Sequence, residues 1–362
     1  MSLNKYKIII HTSRKNTLRA EFKDIPYTQM PRTRTGDTIV YLKQKIIIYA
    51  IRNGVFKDWQ ILERRTNTIY EQITKSLLYL YTHNGARVWV GQIDIQRNSL
   101  PASSYKLGKD SQPIVDDFSL SFRISNAVLG YTWRTDPSGY NYRAVLSHFL
   151  RAVGAHDRYY RFERYWRAFE QLCMWHSKQI GVTSLSEFAA LRHMRAFMIT
   201  NPTLMIESSN VANKIGVHKL KRMFRWRDYI DNCFSVGGQS GTYQTYKDYF
   251  VLQYSDLRVI GLHKKILPFR ESQLRRFGYY SDVKNHIDHW LLPSNRCLCD
   301  VEVVALLCCR YCYFLRNKMF HGEVADFTFR FSSHLDDDDA VDILNELLRS
   351  AILDVSLRLK TT

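Results

Sequence analysis

The chain has 362 residues, with 52 Lys and Arg against 34 Asp and Glu, a formal charge of +18, and 45% hydrophobic and 14% aromatic residues. That length and apolar content suffice for two domains with real cores, while 16 Gly and 8 Pro exclude a fibrous or largely disordered chain. The cation excess points to a polyanionic partner, no run approaches the roughly 20 apolar residues that span a bilayer, and Met1 to Ile10 lacks the apolar stretch of a leader peptide.

The N-terminal part reads as strands and turns. Runs rich in β-branched and aromatic residues, 39–42 continuing to 46–51, then 87–95, then 118–124, are separated by Gly, Asn, Pro and Ser clusters. In the last run Phe118, Leu120, Phe122 and Ile124 alternate with Ser119, Ser121 and Arg123, the period of a strand with one buried face. Between the first and second, Ile69, Ile73, Leu77, Leu78 and Leu80 recur at helical spacing, so one helix crosses or covers the sheet. Residues 98–117 read as a long polar loop. The turn-rich Thr135-Asp136-Pro137-Ser138-Gly139 marks the expected boundary between a β-rich domain, 1–138, and a helical domain, 139–362.

From Tyr142 onward the periodicity is helical. Residues 157–174 carry Tyr160, Phe162, Tyr165, Trp166, Phe169, Leu172 and Cys173 as candidate core residues, while Arg158, Arg161, Arg164 and Arg167 drift around the other side, as either a solvated face or a track along a phosphate backbone. Lys219, Lys221, Arg222, Arg225 and Arg227, interleaved with Phe224 and Trp226, form a denser patch in which cations neutralise phosphates and aromatic rings stack bases. This patch is the expected RNA-contact surface.

Seven cysteines, five of them between Cys297 and Cys312, make a poor disulfide framework and fit a reducing cytoplasm. The spacing of Cys297-x-Cys299 and Cys308-Cys309-x2-Cys312 argues against zinc, since the last three lie on an apolar helical pattern where cysteine behaves as a small hydrophobe. Asp336 to Asp339 precede a final apolar helical pattern and suit a helix start.

The cysteine-bearing apolar pattern runs from about Asp300 through Leu315 into Arg316-Asn317-Lys318-Met319-Phe320-His321-Gly322. An apolar helix ending in Arg-Asn, three residues, His-Gly resembles the Arg-x4-6-His signature of HEPN-domain ribonucleases. Residues 161–172, with Trp166 and Glu170, resemble the Trp- and Glu-bearing helix that precedes it in Apea-type HEPN domains. The resemblance covers about residues 140–362. The same Arg-x4-His spacing also occurs at Arg143/His148, Arg151/His156 and Arg258/His263, but only Arg316 is followed by Asn and only His321 by Gly.

The residues suit RNA cleavage. RNA carries its own nucleophile, the 2′-hydroxyl, so the reaction needs a proton acceptor, a proton donor and a cation at the phosphorane, with no obligatory metal or other cofactor. Histidine serves either proton role near neutrality, and arginine presents a planar fork to phosphate oxygens. On one continuous helix Arg316 and His321 would diverge by about 140°, and a left-handed cap at Gly322 is expected to loosen the turn beside His321. Asn317 orients the phosphate or the Arg316 fork.

The resemblance implies an α+β protein whose C-terminal part is an all-α HEPN-type bundle. It also implies a homodimer or higher even oligomer with two motifs facing one RNA cleft, and a 2′,3′-cyclic phosphate product. It assigns Arg316, Asn317 and His321 to catalysis, with Glu170 either pairing with Arg316, orienting His321 or simply capping a surface. The implied function is a cytoplasmic antiviral-defence effector of the abortive-infection or toxin type that cuts RNA, tRNA among the candidates. A phage trigger or neutralising partner would control it. The alternative is a noncatalytic HEPN module that binds RNA or a protein.

Overall fold

The computed structural model describes residues 3–13, 16–28, 36–114, 117–120, 124, 126–182, 186–234, 238–320 and 336–358. The chain divides into two compact units, residues 1–184 and residues 185–358.

The first unit is built on a six-stranded antiparallel sheet: β1 Asn4–Thr12, β2 Ala20–Ile25, β3 Asp37–Leu42, β4 Lys45–Arg52, β5 Val90–Arg97 and β6 Ser103–Lys106, in the order β2-β3-β4-β1-β5-β6. The register aligns two apolar rows across four strands. Ile39, Ile48, Ile8 and Ile95 form one, and Tyr41, Ile46, Ile10 and Ile93 the other. All eight are buried, so a one-residue slip would turn both rows to the opposite face. The helix Thr68–Asn84 follows the expected period. Asn67 accepts from the amides of Ile69 and Tyr70 at its start, and Gly85 closes it at φ 65°, a left-handed cap that favours glycine.

A buried polar cluster pins that helix to the sheet. Both Arg52 Nη atoms donate to the Asp37 carboxylate (2.7 and 2.6 Å), Arg52 Nε donates to Thr68 Oγ1 (2.8 Å), and Gln72 Nε2 donates to Asp37 Oδ2 (2.9 Å). One turn on, Lys75 is fully buried and reaches Glu71 (3.2 Å) and the Pro26 carbonyl (3.1 Å). Burial pulls its pKa down, against the raising influence of Glu71.

The boundary expected between 138 and 139 falls inside this unit. Thr135 to Gly139 is a helix start: Asp136 accepts from the Gly139 amide (2.8 Å), Pro137 sits in the first turn, and a Cβ at Gly139 would lie 2.4 Å from the Arg134 carbonyl oxygen. The helix Pro137–Gly154 is then held to Thr68–Asn84 by Arg143, which donates to Glu71 (2.9 Å), and it pairs with the helix Arg158–Gln179. Three further readings change. β1 was not anticipated as a strand, the 98–117 loop contains the edge strand β6, and the expected strand 118–124 makes an isolated bridge between Ser119 and Ala86, with residues 121–123 outside those described.

The second unit is helical, so the mixed α+β class holds. Its N-cap at Asp256 starts the helix Leu257–Arg276. Arg258 is clamped there between Asp256 (2.8 Å) and Asp300 (2.7 Å), while Glu302 accepts from the amides of Ser255 and Asp256. Asp300–Leu306, a π-turn Leu307–Tyr311 and Cys312–Phe320 form one continuous helical run through the expected segment. The final helix, Asp336–Arg358, starts at the expected aspartates. It is fixed by Asp354, which accepts from the amides of Glu207 (3.1 Å) and Ser208 (2.9 Å) at the start of the helix Ile206–Asn213. No helix among the described residues is long and apolar enough to cross a membrane.

Candidate functional site

The signature helix emerges from a deeply buried segment. Val303 to Cys309 and Cys312 are at most 1% exposed, and burial pushes the Cys309 thiol up to about 12. Among the described residues no three His, Cys, Asp or Glu side chains converge as a metal site. At the end of this run Arg316, half-buried, donates from Nη1 to Asn317 Oδ1 (2.8 Å). The neighbouring amide oxygen thus accepts from one arm of the fork. His321 and Gly322 lie outside the described residues.

Glu170 is half-buried on the helix Arg158–Gln179 and belongs to the first unit, whereas Arg316 and Asn317 belong to the second. The arginine row on that helix is largely engaged locally. Arg161 donates to the Ala155 carbonyl, Arg164 lies 4.7 Å from the ring centroid of Tyr160, which is exposed rather than in the expected core, and Arg167 bonds Glu163 at 2.9 Å.

Two of the three other Arg-x4-His copies are built into the packing. Arg143 and Arg258 are buried structural cations bonded to Glu71 and to Asp256 and Asp300. Burial takes His263 down to about 3. His148 is lowered to about 4 by burial and by the charges of Arg164, Arg167 and Arg151. Both imidazoles are therefore neutral at physiological pH, which removes the proton exchange a general acid and base require.

The expected RNA patch assembles around the helices Val217–Met223 and Trp226–Cys233. Lys219, Arg222, Arg225 and Arg227 are exposed and Lys221 is half-buried, its Cε and Nζ end lying over Gly261. Among the described residues Lys219, Lys221, Arg222 and Arg227 have no carboxylate partner, while Arg225 pairs with Asp228. A 420 Å³ cavity opens here, lined by Lys221, Arg222, Arg225, Arg227 and Lys265 together with apolar side chains.

The stacking role assigned to Trp226 does not fit. It is 4% exposed, its indole donates to the Leu220 carbonyl (2.7 Å), and its rings pack on Phe224, Tyr229 and Tyr311. The exposed aromatic of the cavity is Phe269, 60% accessible on the helix Leu257–Arg276. Lys265 and Phe269 are four apart and share a helix face, a pairing legible in the sequence but one the reading missed. Tyr311 ties this cavity to the signature helix: its hydroxyl accepts from the Arg225 amide (2.9 Å), and it sits in the π-turn five residues before Arg316.

No family model, no curated protein and no solved structure matches the chain.

Proposed function

We propose that the protein is a metal-independent endoribonuclease of HEPN type, acting as a homodimer in which two Arg316/His321 motifs share one RNA cleft. The supporting observation is the Arg316–Asn317 fork at the end of a buried helix whose Tyr311 also anchors a carboxylate-poor basic cavity. The cavity holds the backbone by neutralising phosphates while Phe269 gives one base a stacking face.

In the reaction the ribose 2′-oxygen attacks the adjacent phosphorus as His321 of one copy takes its proton. The P–O5′ bond breaks, and His321 of the second copy protonates the departing 5′-oxygen. A 2′,3′-cyclic phosphate and a 5′-hydroxyl result. Arg316 offsets the charge that builds on the phosphorane, where a preorganised cation acts most strongly. The substrate class is structured cellular RNA, tRNA included. The physiological reading is a growth-arresting antiviral effector, with the first unit sensing a trigger or selecting the RNA. That unit carries its own cavity of 290 Å³, walled by Ile73, Leu77 and Tyr81 with Arg151 at its lining.

The test is His321→Ala beside wild type on total RNA with chelator present, with the cut ends mapped. The expected loss is at least ~10²-fold in cleavage rate, the usual scale of one acid–base group, with fold and oligomeric state kept. Arg316→Lys, which retains charge without the fork, is expected to fall between them. Wild-type activity surviving in His321→Ala would remove the catalytic assignment and leave a noncatalytic RNA- or protein-binding module.

A further inference from the structure

Two arginines of the second unit are buried with no ion pair among the described residues. Arg195, 3% exposed on the helix Glu187–Thr200, places Nη1 on the Tyr249 carbonyl and Nη2 on Gln253 Oε1, both neutral acceptors, and its Nε is buried without a partner. Arg310 is 5% exposed. Its guanidinium lies between the rings of Phe188 (4.5 Å) and Phe250 (4.3 Å), and its Nη2 is buried without a partner. Burial lowers the pKa of Arg310, and the nearby charge of Arg195 adds to that effect. An uncompensated buried charge is expensive, and two that repel one another are more so.

Arg195 also lines an open space. A cavity of 350 Å³ is bounded on one side by the helix Glu187–Thr200, whose Ala189, Arg192, His193 and Ala196 stand at i, i+3, i+4 and i+7 on one face. Tyr249 and Gln253 form the other side. The alanines leave the room, and the Arg192 guanidinium lies 3.9 Å from the Tyr249 ring centroid. The lining has two arginines and a histidine but no carboxylate. Both π-turns of the described chain converge on this region: Tyr246–Val251 supplies Tyr249 and Phe250, and Leu307–Tyr311 supplies Arg310. Such turns recur at functional sites because they displace side chains from the regular helical track.

We infer that the cavity walled by Arg192, His193, Arg195 and Tyr249 binds a phosphate monoester of nucleotide size, either a free nucleotide or the phosphorylated end of an RNA strand. The chemistry matches the site. A monoester brings close to two negative charges and terminal oxygens that accept guanidinium forks, and the volume lies within the range of small-molecule pockets. Arg195, fixed from both Nη atoms, sets its positive charge at the cavity wall. Arg310 supplies long-range positive potential from behind, and Arg192 closes over the ligand from the half-buried rim. The inference stands independently of the ribonuclease reading, since it uses neither Arg316 nor His321.

The experiment is calorimetry and thermal unfolding of the full chain with AMP, adenosine and inorganic phosphate. An oligoribonucleotide with a 5′-phosphate and the same strand with a 5′-hydroxyl complete the set. AMP is expected to bind and raise the unfolding temperature with increasing concentration, adenosine to do neither, and inorganic phosphate to compete with AMP. Arg192→Gln is expected to weaken AMP at least tenfold while the unliganded protein melts where wild type does, and Arg195→Lys, keeping charge without the fork, to weaken it similarly. Displacement of AMP by the 5′-phosphorylated strand but not its hydroxyl twin would identify an RNA end as the source; failure of both to compete would identify a free nucleotide. AMP binding no tighter than adenosine, or binding indifferent to Arg192→Gln, would overturn the site.

Discussion

Arg52 in the first unit and Arg310 in the second are both 5% exposed, and they are held in opposite ways. Arg52 is saturated: a bidentate carboxylate, a threonine hydroxyl, the Ile51 carbonyl, and the Tyr27 ring 3.6 Å beneath its guanidinium carbon. Arg310 has two aromatic faces and no hydrogen bond among the described residues. A saturated buried cation is architecture, since its partners are internal and the pair fixes where a helix meets a sheet. An unsaturated one fixes no such junction. The sharpest way to break this contrast is to remove each charge relationship in turn. Asp37→Ala strands Arg52 and is expected to cost about 3–5 kcal/mol in urea unfolding, the usual penalty for orphaning a buried charge. Arg310→Met keeps volume and apolar packing while deleting the charge, and is expected to be neutral or to stabilise the unliganded protein by about 1–4 kcal/mol. An Arg310→Met protein as damaged as Asp37→Ala would make Arg310 architectural too.

The next contrast sets the buried Arg258/His263 pair against Arg316/His321. With His263 held down to about 3, the folded state stays neutral there while the unfolded chain takes up a proton near its ordinary value of about 6.5. Between those limits the unfolded state binds more protons, so this contribution is whole above about pH 6.5 and is lost progressively as pH falls toward 3. His263→Gln is expected to flatten the acid limb of the stability–pH curve, by an amount on the order of a few kcal/mol at the lower end. An unchanged acid limb would show that the imbalance lies in other groups.

What could be read from sequence follows the strength of local periodicity. The helices Thr68–Asn84, Arg158–Gln179 and the run from Asp300 were legible because their apolar stripes extend over several turns; β3 and β4 were legible only as one continuing run of β-branched residues, without the turn at Lys43 and Gln44 that pairs them. β6 was not, since all of Ser103 to Lys106 is exposed and an edge strand needs no apolar face. The domain boundary misled because a capping Asp-Pro start and a linker use the same residues, and only the distant Arg143–Glu71 bond shows which is present. The site divides likewise. The cations of the 219–227 patch were legible from their density, whereas the inward turn of Trp226 depends on a carbonyl six residues back and on Tyr311, eighty-five residues on. Arg192, His193 and Arg195 carried no flag because their lack of carboxylate partners among the described residues is a property of packing.

The two aromatics of the basic cavity offer a smaller but cleaner contrast. Phe269→Ala is expected to leave the melting temperature unchanged and weaken single-stranded RNA by about 1–3 kcal/mol, the worth of one stacked base. Trp226→Phe, which loses the bond to Leu220, should instead lower stability and leave RNA affinity per folded molecule alone. A reversal, with Trp226→Phe weakening RNA at full stability, would restore the stacking role to the indole.

The finest distinction lies among the cations themselves. Arg227 and Arg222 have no carboxylate partner among the described residues and line the cavity, whereas Arg225 is already paired with Asp228. A phosphate contact from an unpaired cation releases one counterion equivalent, so Arg227→Gln should reduce the slope of log K against log salt by about 0.7 for a single strand. Arg225→Gln should reduce it less, because Asp228 already serves as its counter-charge and its removal leaves that carboxylate facing the strand. The two slopes, measured on one oligonucleotide between low and moderate salt, therefore test whether pairing inside the protein decides which cations meet RNA. Equal decrements would mean that Asp228 releases Arg225 on binding and that the free-state ion pair does not rank these side chains.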